Sequence, residues 1–163
     1  MPKVAVLMGS KSDFSVVQPA LEVFKNFKID YEVRVISAHR TPDIARDFSL
    51  NAKANGFEVI ICVAGKAAHL AGMVAAYTTL PVIAVPVLSS AFEGLDSLLS
   101  SVQMPAGVPV ATVAVNGGEN AGILAAQILG IRYPQISEML TEFKAKLKEK
   151  VINDDVILNS ELN

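Results

Sequence analysis

Short runs of apolar, mostly β-branched residues alternate along the chain with longer segments of helical periodicity. The runs predict strands at 4–8, 31–36, 59–63, 82–87 and 110–115. Helices are predicted between and after them, at about 14–27, 67–77, 95–102 and 121–129. A further helix is predicted to begin at Pro42, with Thr41 as its N-cap. Because the strands are apolar without alternation, both faces of their sheet are expected to be covered. The pattern predicts an α/β fold: a three-layer α/β/α sandwich with a central parallel sheet, flavodoxin-like or Rossmann-like.

The last part of the chain has a different pattern. Apolar side chains fall on one stripe, with charged residues around the rest of the surface, and the stripe is Ile136, Leu140, Phe143, Leu147 and Val151. This predicts an amphipathic helix at about 134–151, followed by a short tail that frays. The length of 163 residues favours a single α/β domain over 1–163.

Charge and composition exclude several classes of partner. With 14 Lys and Arg against 16 Asp and Glu, the net charge is −2, which is unlike a nucleic-acid or anionic-membrane binder. The uncharged stretch 67–92 resembles a membrane span in length, but Pro81 and Pro86 interrupt it, so we expect none. The one cysteine, Cys62, lies within an apolar run and is expected to be an inert core residue. These features favour a soluble, cytoplasmic protein.

Charge is also spread unevenly. Segment 64–130 carries only four charged residues, namely Lys66, Glu93, Asp96 and Glu119. The predicted helices at 67–77 and 121–129 are apolar or small nearly all round, so each must be covered on every side. We therefore expect both helices to lie in the interface of a homo-oligomer.

Polar residues that follow the first predicted strand form the first of three candidate loops. In an open parallel sheet, the ligand crevice lies beyond the carboxyl ends of the strands. Gly9 permits close backbone approach, while Ser10, Ser12 and the helix start could hold a phosphate, with Asp13 accepting from hydroxyl groups. Alternatively, Ser12 or Asp13 only caps the helix. The loop matches no nucleotide-binding glycine motif, so neither ATP nor a dinucleotide cofactor is indicated.

The loops after the second and third strands each contain a histidine. His39 could transfer a proton, since imidazole titrates near neutral pH, and Arg40 could bind a carboxylate or phosphate, unless this is merely an exposed loop. Gly65 lets the backbone approach a ligand, whereas His69 is as consistent with a structural role as with a catalytic one. Two histidines without a cysteine or carboxylate cluster argue against a metal site.

The ordered set of loops resembles the N5-carboxyaminoimidazole ribonucleotide mutase family of de novo purine synthesis. The matching segments extend from the first strand to about residue 129, and they are 8–13, 36–42, 67–70, 96–100, 102–105 and 107–112. The resemblance implies an isomerase that moves a carboxylate from the exocyclic nitrogen to a ring carbon of the aminoimidazole ribonucleotide. It also implies that no cofactor and no metal are needed, and that the protein is an octamer whose subunits complete one another's sites.

The resemblance further implies a role for individual residues. His39 would be the general acid and base, Ser10 and Arg40 would bind chiefly the phosphate, and Asp13 would bind the ribose. The remaining substrate-binding positions would be Ser37 and Ala38 at the carboxylated base, together with Gly65, His69 and Leu70.

Two alternatives stay open. Lys66 occupies a position where the family usually has a second glycine. Related carboxylases, which use free carbon dioxide, resemble this chain in having a basic residue there. The third possibility is a non-catalytic module that binds a nucleotide or flavin, because fold alone does not fix function.

Overall fold

The computed structural model describes residues 1–162 and contains one five-stranded sheet in the order β2-β1-β3-β4-β5. Every adjacent pair of strands is parallel. The strands are β1 (Lys3–Met8), β2 (Asp30–Val35), β3 (Val59–Gly65), β4 (Val82–Val87) and β5 (Ala111–Thr112). The predicted parallel α/β fold is confirmed, with the strand order of the flavodoxin-like variant.

Helices cover both faces of the sheet. They are α1 (Phe14–Asn26), α2 (Pro42–Asn51), α3 (Leu70–Tyr77), α4 (Leu95–Val102), α5 (Gly118–Gly130) and α6 (Pro134–Leu162). One core lies between the sheet and α1, α5 and α6, and a second lies between the sheet and α2 and α3. Strand β1 contributes to both cores, since Val4 and Val6 point to the first and Ala5 and Leu7 to the second.

The strand order places a switch point beside β1. The chain leaves β1 for β2 on one side and then crosses to β3 on the other side. The connections that leave β1 and β3 therefore run over opposite faces of the sheet and open a crevice between them at its carboxyl edge. All three candidate loops lie at this edge, because they follow β1, β2 and β3.

The last strand and the last helix differ from their predicted extents. Strand β5 pairs with β4 only at Ala111 and Thr112, although Val110–Val115 is apolar enough for a longer strand. Pro86 in β4 has no N–H to donate, so the regular ladder ends early. Beyond it, only isolated bonds join the two segments, from the N–H of Val113 to the carbonyl of Ala84 and from the N–H of Asn116 to that of Pro86. Helix α6 does not end near residue 151 but continues to Leu162, so the segment interpreted as a fraying tail is helical.

Helix α5 is not left uncovered within one chain. Ala121, Ala125, Ala126 and Leu129 are buried against the sheet and its neighbouring helices. A Cβ on Gly122 would lie 3.1 Å from the Cα of Ala20 in α1, so the two helices pack at close range. Because its small residues let α1 approach closely and α6 adds further cover, much of α5 is covered within one chain, and its place in an oligomer interface stays a prediction.

Exposed apolar residues instead cluster on other helices. Leu95, Leu99 and Val102 of α4 are each about half exposed, and so are several apolar side chains in the second half of α6. Helix α3 is partly covered: Leu70, Ala71 and Val74 are buried, while Tyr77 is 40% exposed. Among the residues described, no helix combines the length and hydropathy that crossing a bilayer requires.

Candidate active site

A cavity of about 620 Å³ opens at the carboxyl edge of the sheet, above β1 and β3. It is lined by residues of all three candidate loops, and all nine site residues predicted from the sequence are among them: Ser10, Asp13, Ser37, Ala38, His39, Arg40, Gly65, His69 and Leu70. The sheet order accounts for this convergence, since β2 and β3 flank β1 and their loops meet across its end.

Arg40 ties the β1 and β2 loops together. Its guanidinium Nη2 donates to the carbonyl of Gly9 at 2.7 Å, and its Nε donates to the Ser37 hydroxyl at 3.3 Å. These bonds orient the planar fork toward the cavity while leaving other N–H groups available to an anion. The arrangement suits a phosphate or a carboxylate at the β1 end of the cavity.

Thr41 holds the β2 loop in shape and does not cap α2 with its side chain. Its hydroxyl accepts from the backbone N–H of Ser37 at 3.0 Å and donates to the Ser37 carbonyl at 3.0 Å. The residue occupies the predicted N-cap position, but no side-chain capping bond forms there. The hydroxyl therefore closes the turn that displays His39 and Arg40.

The β1 loop forms a polar cluster of its own. The hydroxyl of Ser10 accepts from both the N–H and the hydroxyl of Ser12, at 3.3 and 2.9 Å. It thereby caps the 3-10 turn Lys11–Asp13. Asp13 occupies the N-cap position of α1, but its side chain makes no capping bond there. Burial raises the pKa of Asp13, against the opposing effects of bonds from Ser12 and Ser10 and the charge of Arg40.

The two histidines of the chain contact each other inside the cavity. Nε2 of His39 lies 2.7 Å from Nδ1 of His69, and the rings meet edge to face with centroids 4.8 Å apart. One of these nitrogens must carry the proton and the other must accept it, so the tautomers of the two rings are coupled. The contact leaves Nδ1 of His39 and Nε2 of His69 without a protein partner in the described chain, and both can exchange a proton with a ligand.

The β3 loop brings backbone groups to the cavity. Ser100 of α4 accepts from the N–H of Ala68 at 2.9 Å, which fixes the loop just before α3. Leu70 lines the cavity only at the start of α3, because its side chain is buried in the second core. Sequence reasoning gave Ser100 no role, and a lone hydroxyl on an amphipathic helix offers no signal that it supports a loop 32 positions away.

Other groups do not extend the chemistry of this cavity. The described residues contain no group of three or more His, Cys, Asp and Glu side chains that could hold a metal ion. Cys62 is buried in β3 as predicted, and burial raises the pKa of its thiol, which disfavours the nucleophilic thiolate.

The fold and the cavity together define an α/β protein with a cluster of polar loops beside two histidines in contact. A family model described as AIR carboxylase matches residues 3–150, and the chain belongs to that family. This confirms the resemblance found in the sequence.

Individual relatives cover nearly the whole chain. An N5-carboxyaminoimidazole ribonucleotide mutase of Thermotoga maritima is 57% identical over 93% of this chain and 89% of its own length. The protein of the same name from Saccharolobus solfataricus is 54% identical over 94% of this chain and 97% of its own. Among solved structures, Treponema denticola PurE superimposes with a TM-score of 0.89 at 31% identity, over 97% of this chain and 99% of that one.

Proposed function

We propose that this chain is an N5-carboxyaminoimidazole ribonucleotide mutase, an isomerase of purine biosynthesis that uses His39 as its general acid and base. The observation that carries the proposal is the His39–His69 contact inside a cavity whose other loops hold Ser10, Asp13 and Arg40. The names of relatives that are more than half identical over most of their length support the same activity.

In net terms, the reaction removes one proton from the ring carbon and adds one to the exocyclic nitrogen. The N–C bond of the carbamate breaks to give carbon dioxide, and the nitrogen takes up a proton. A C–C bond then forms at the ring carbon, which must release its own proton. One imidazole that gives a proton and later takes one back balances both steps, so no metal or cofactor is expected. A closed cavity would keep carbon dioxide close to the ring between the two steps.

The other cavity residues are assigned to binding. Arg40 and Ser10 would hold the phosphate, and Asp13 would accept from the ribose hydroxyls. Ser37 and Ala38 would contact the carboxylated base, while those backbone N–H groups of the Gly65–Leu70 loop that are not bonded within the protein would favour negative charge that develops there.

The decisive experiment is an assay without ATP. Purified protein receives the N-carboxylated ribonucleotide, and formation of the ring-carboxylated product is compared with the spontaneous rate. The His39→Asn variant, which cannot relay the proton, serves as the matched blank. If the parent protein and this variant give equal rates, the proposed function is wrong.

A second activity, direct carboxylation of aminoimidazole ribonucleotide, is favoured by Lys66, an additional cation in the cavity. That activity would form the product from aminoimidazole ribonucleotide and bicarbonate at physiological concentration. Failure of this assay, with success of the first, decides for the mutase.

The active protein is expected to be a cytoplasmic homo-octamer, as the family resemblance implies. The half-exposed Leu95, Leu99 and Val102 of α4 support an interface there, since contiguous exposed apolar side chains favour association. Sedimentation at micromolar concentration tests this, and a stable monomer of 17.3 kDa would contradict it.

A further inference from the structure

Lys66 has a backbone conformation that lysine rarely adopts. Its φ is 56°, in the left-handed region, where any side chain other than that of glycine is disfavoured. Unfavourable backbone conformations persist where the surrounding structure holds them, and they cluster at ligand sites. A glycine would fit this backbone better, so the presence of a lysine here indicates a role for its amino group.

Ser100 of α4 holds the loop that follows Lys66. Ser100 accepts from the N–H of Ala68 at 2.9 Å, and its hydroxyl lies 3.4 Å from the carbonyl of Lys66. Three residues beyond Lys66, the ring of His69 contacts His39. Lys66 and the two imidazoles line the same cavity.

The ammonium group of Lys66 has no acidic partner. The cavity lining includes three charged residues besides the histidines: Asp13, Arg40 and Lys66. Arg40 is bonded to Gly9 and Ser37. The ion pairs found within residues 1–162 are those of Lys3, Lys25, Arg34 and Arg132, so the side chain of Lys66 is exposed and unpaired in that part of the chain.

We infer that Lys66 binds the carboxylate of the base and makes the cavity prefer carboxylated over uncarboxylated ribonucleotide. The inference rests on the proposed function and adds a specificity-determining residue to it. A ribonucleotide with a carboxylated base brings two separate anionic groups, and the cavity offers two cations on different loops. Arg40 is bonded to the β1 loop, which is suited to the phosphate, whereas Lys66 belongs to the loop that also carries His69, and we assign it to the carboxylate.

The test measures binding by calorimetry to the full-length protein. Its two probes are 5-aminoimidazole ribonucleotide and the same compound carboxylated at the ring carbon. Lys66→Gln, which removes the charge and shortens the side chain by one atom, should weaken binding of the carboxylated probe about tenfold. Binding of the uncarboxylated probe should stay within about twofold, and Lys66→Arg should retain the preference.

Lys28 supplies a matched control. It also has a left-handed backbone, with φ of 53°, but it lies between α1 and β2 at the opposite edge of the sheet. Lys66→Gly and Lys28→Gly should both melt no lower than the parent protein, because glycine relieves the same backbone strain. Only Lys66→Gly should lose the preference for the carboxylated probe.

The outcomes separate this inference from the proposed function. If Lys66→Gln weakened the binding of both probes equally, Lys66 would bind the phosphate. If the binding of both were unchanged, Lys66 would bind neither group. Either result overturns the inference. In both cases the proposed function stands if the parent protein still shows mutase activity. If the parent binds neither ribonucleotide, both the proposed function and this inference fail.

Discussion

The two sides of the cavity differ in how their polar groups are used. On the anchoring side, which we define as Ser10, Asp13 and Arg40, the polar groups bond to the loops that carry them. On the reacting side, defined as His39, His69 and Lys66, the one bond between side chains is that of the two imidazoles. The first arrangement fixes the geometry of the loops, while the second leaves imidazole and ammonium groups available to a ligand.

This difference predicts separable kinetic effects. Substitutions of the two histidines should mainly lower kcat, because His39 is proposed to act during bond making and breaking, whereas substitutions of Lys66 should weaken binding of the carboxylate. Substitutions on the anchoring side should mainly raise KM, because they weaken contacts that ground state and transition state share.

His39→Asn should lower kcat by about a hundredfold to ten-thousandfold, the usual contribution of general acid and base catalysis. Asparagine can still form a hydrogen bond to His69 but cannot carry a proton. KM for the N-carboxylated ribonucleotide should change by less than about threefold, since the anchoring side is untouched. Steady-state kinetics measure both parameters, and a large rise in KM with kcat retained would contradict the assignment.

Arg40→Lys should raise KM about tenfold to a hundredfold while kcat stays within about threefold. A lysine cannot bond to the Gly9 carbonyl and the Ser37 hydroxyl at once and still offer a planar fork to a phosphate. The same assay provides the test. Arg46, an exposed arginine on α2 outside the cavity lining, gives a matched control as Arg46→Lys, which should behave like the parent protein.

Asp13→Asn should raise KM about tenfold, because the amide is a weaker acceptor for the ribose hydroxyls than a carboxylate. In the parent protein, KM should increase as the pH falls through the pKa of Asp13, which burial raises. The variant should lack that part of the pH profile. A parent and a variant with parallel profiles would show that Asp13 does not bind substrate in its ionised form.

The same pKa shift predicts the stability of the protein without ligand. A carboxyl group whose pKa is raised by folding favours the folded state when protonated, and this contribution is lost as the pH rises through the folded pKa. Asp13→Asn should therefore be more stable than the parent near neutral pH, with the difference disappearing below the unfolded pKa of about 3.9. Urea unfolding at several pH values measures this difference.

The comparison also shows which features can be predicted from sequence. Polar residues that follow buried parallel strands must lie at the carboxyl edge, so the anchoring loops and both histidines could be assigned to one site. The contact between His39 and His69 could not, because it depends on the strand order that places β2 and β3 on either side of β1. The left-handed backbone of Lys66 likewise has no signature in the residues around it.

The predicted and observed folds differ where contacts with neighbouring elements, and not the pattern of one segment, decide the structure. Apolarity alone does not tell which neighbour covers a helix, and the glycines of α5 allow α1 to cover it within the same chain. Strand β5 was predicted too long because the ladder depends on its partner, and Pro86 in β4 cannot donate. Helix α6 was predicted too short because its apolar stripe was traced only to Val151, whereas helical hydrogen bonding continues to Leu162.

Thr41→Val should have the smallest effect and is the one change expected to act on both sides of the cavity. Valine has nearly the shape of threonine but loses the bonds to the N–H and carbonyl of Ser37. Because that turn carries both His39 and Arg40, kcat should fall and KM should rise, each by about threefold to tenfold. Thr41→Ser keeps the hydroxyl and should restore both parameters. If Thr41→Val changed only one of them, the turn would position one residue alone, and the two sides of the cavity would not share this support.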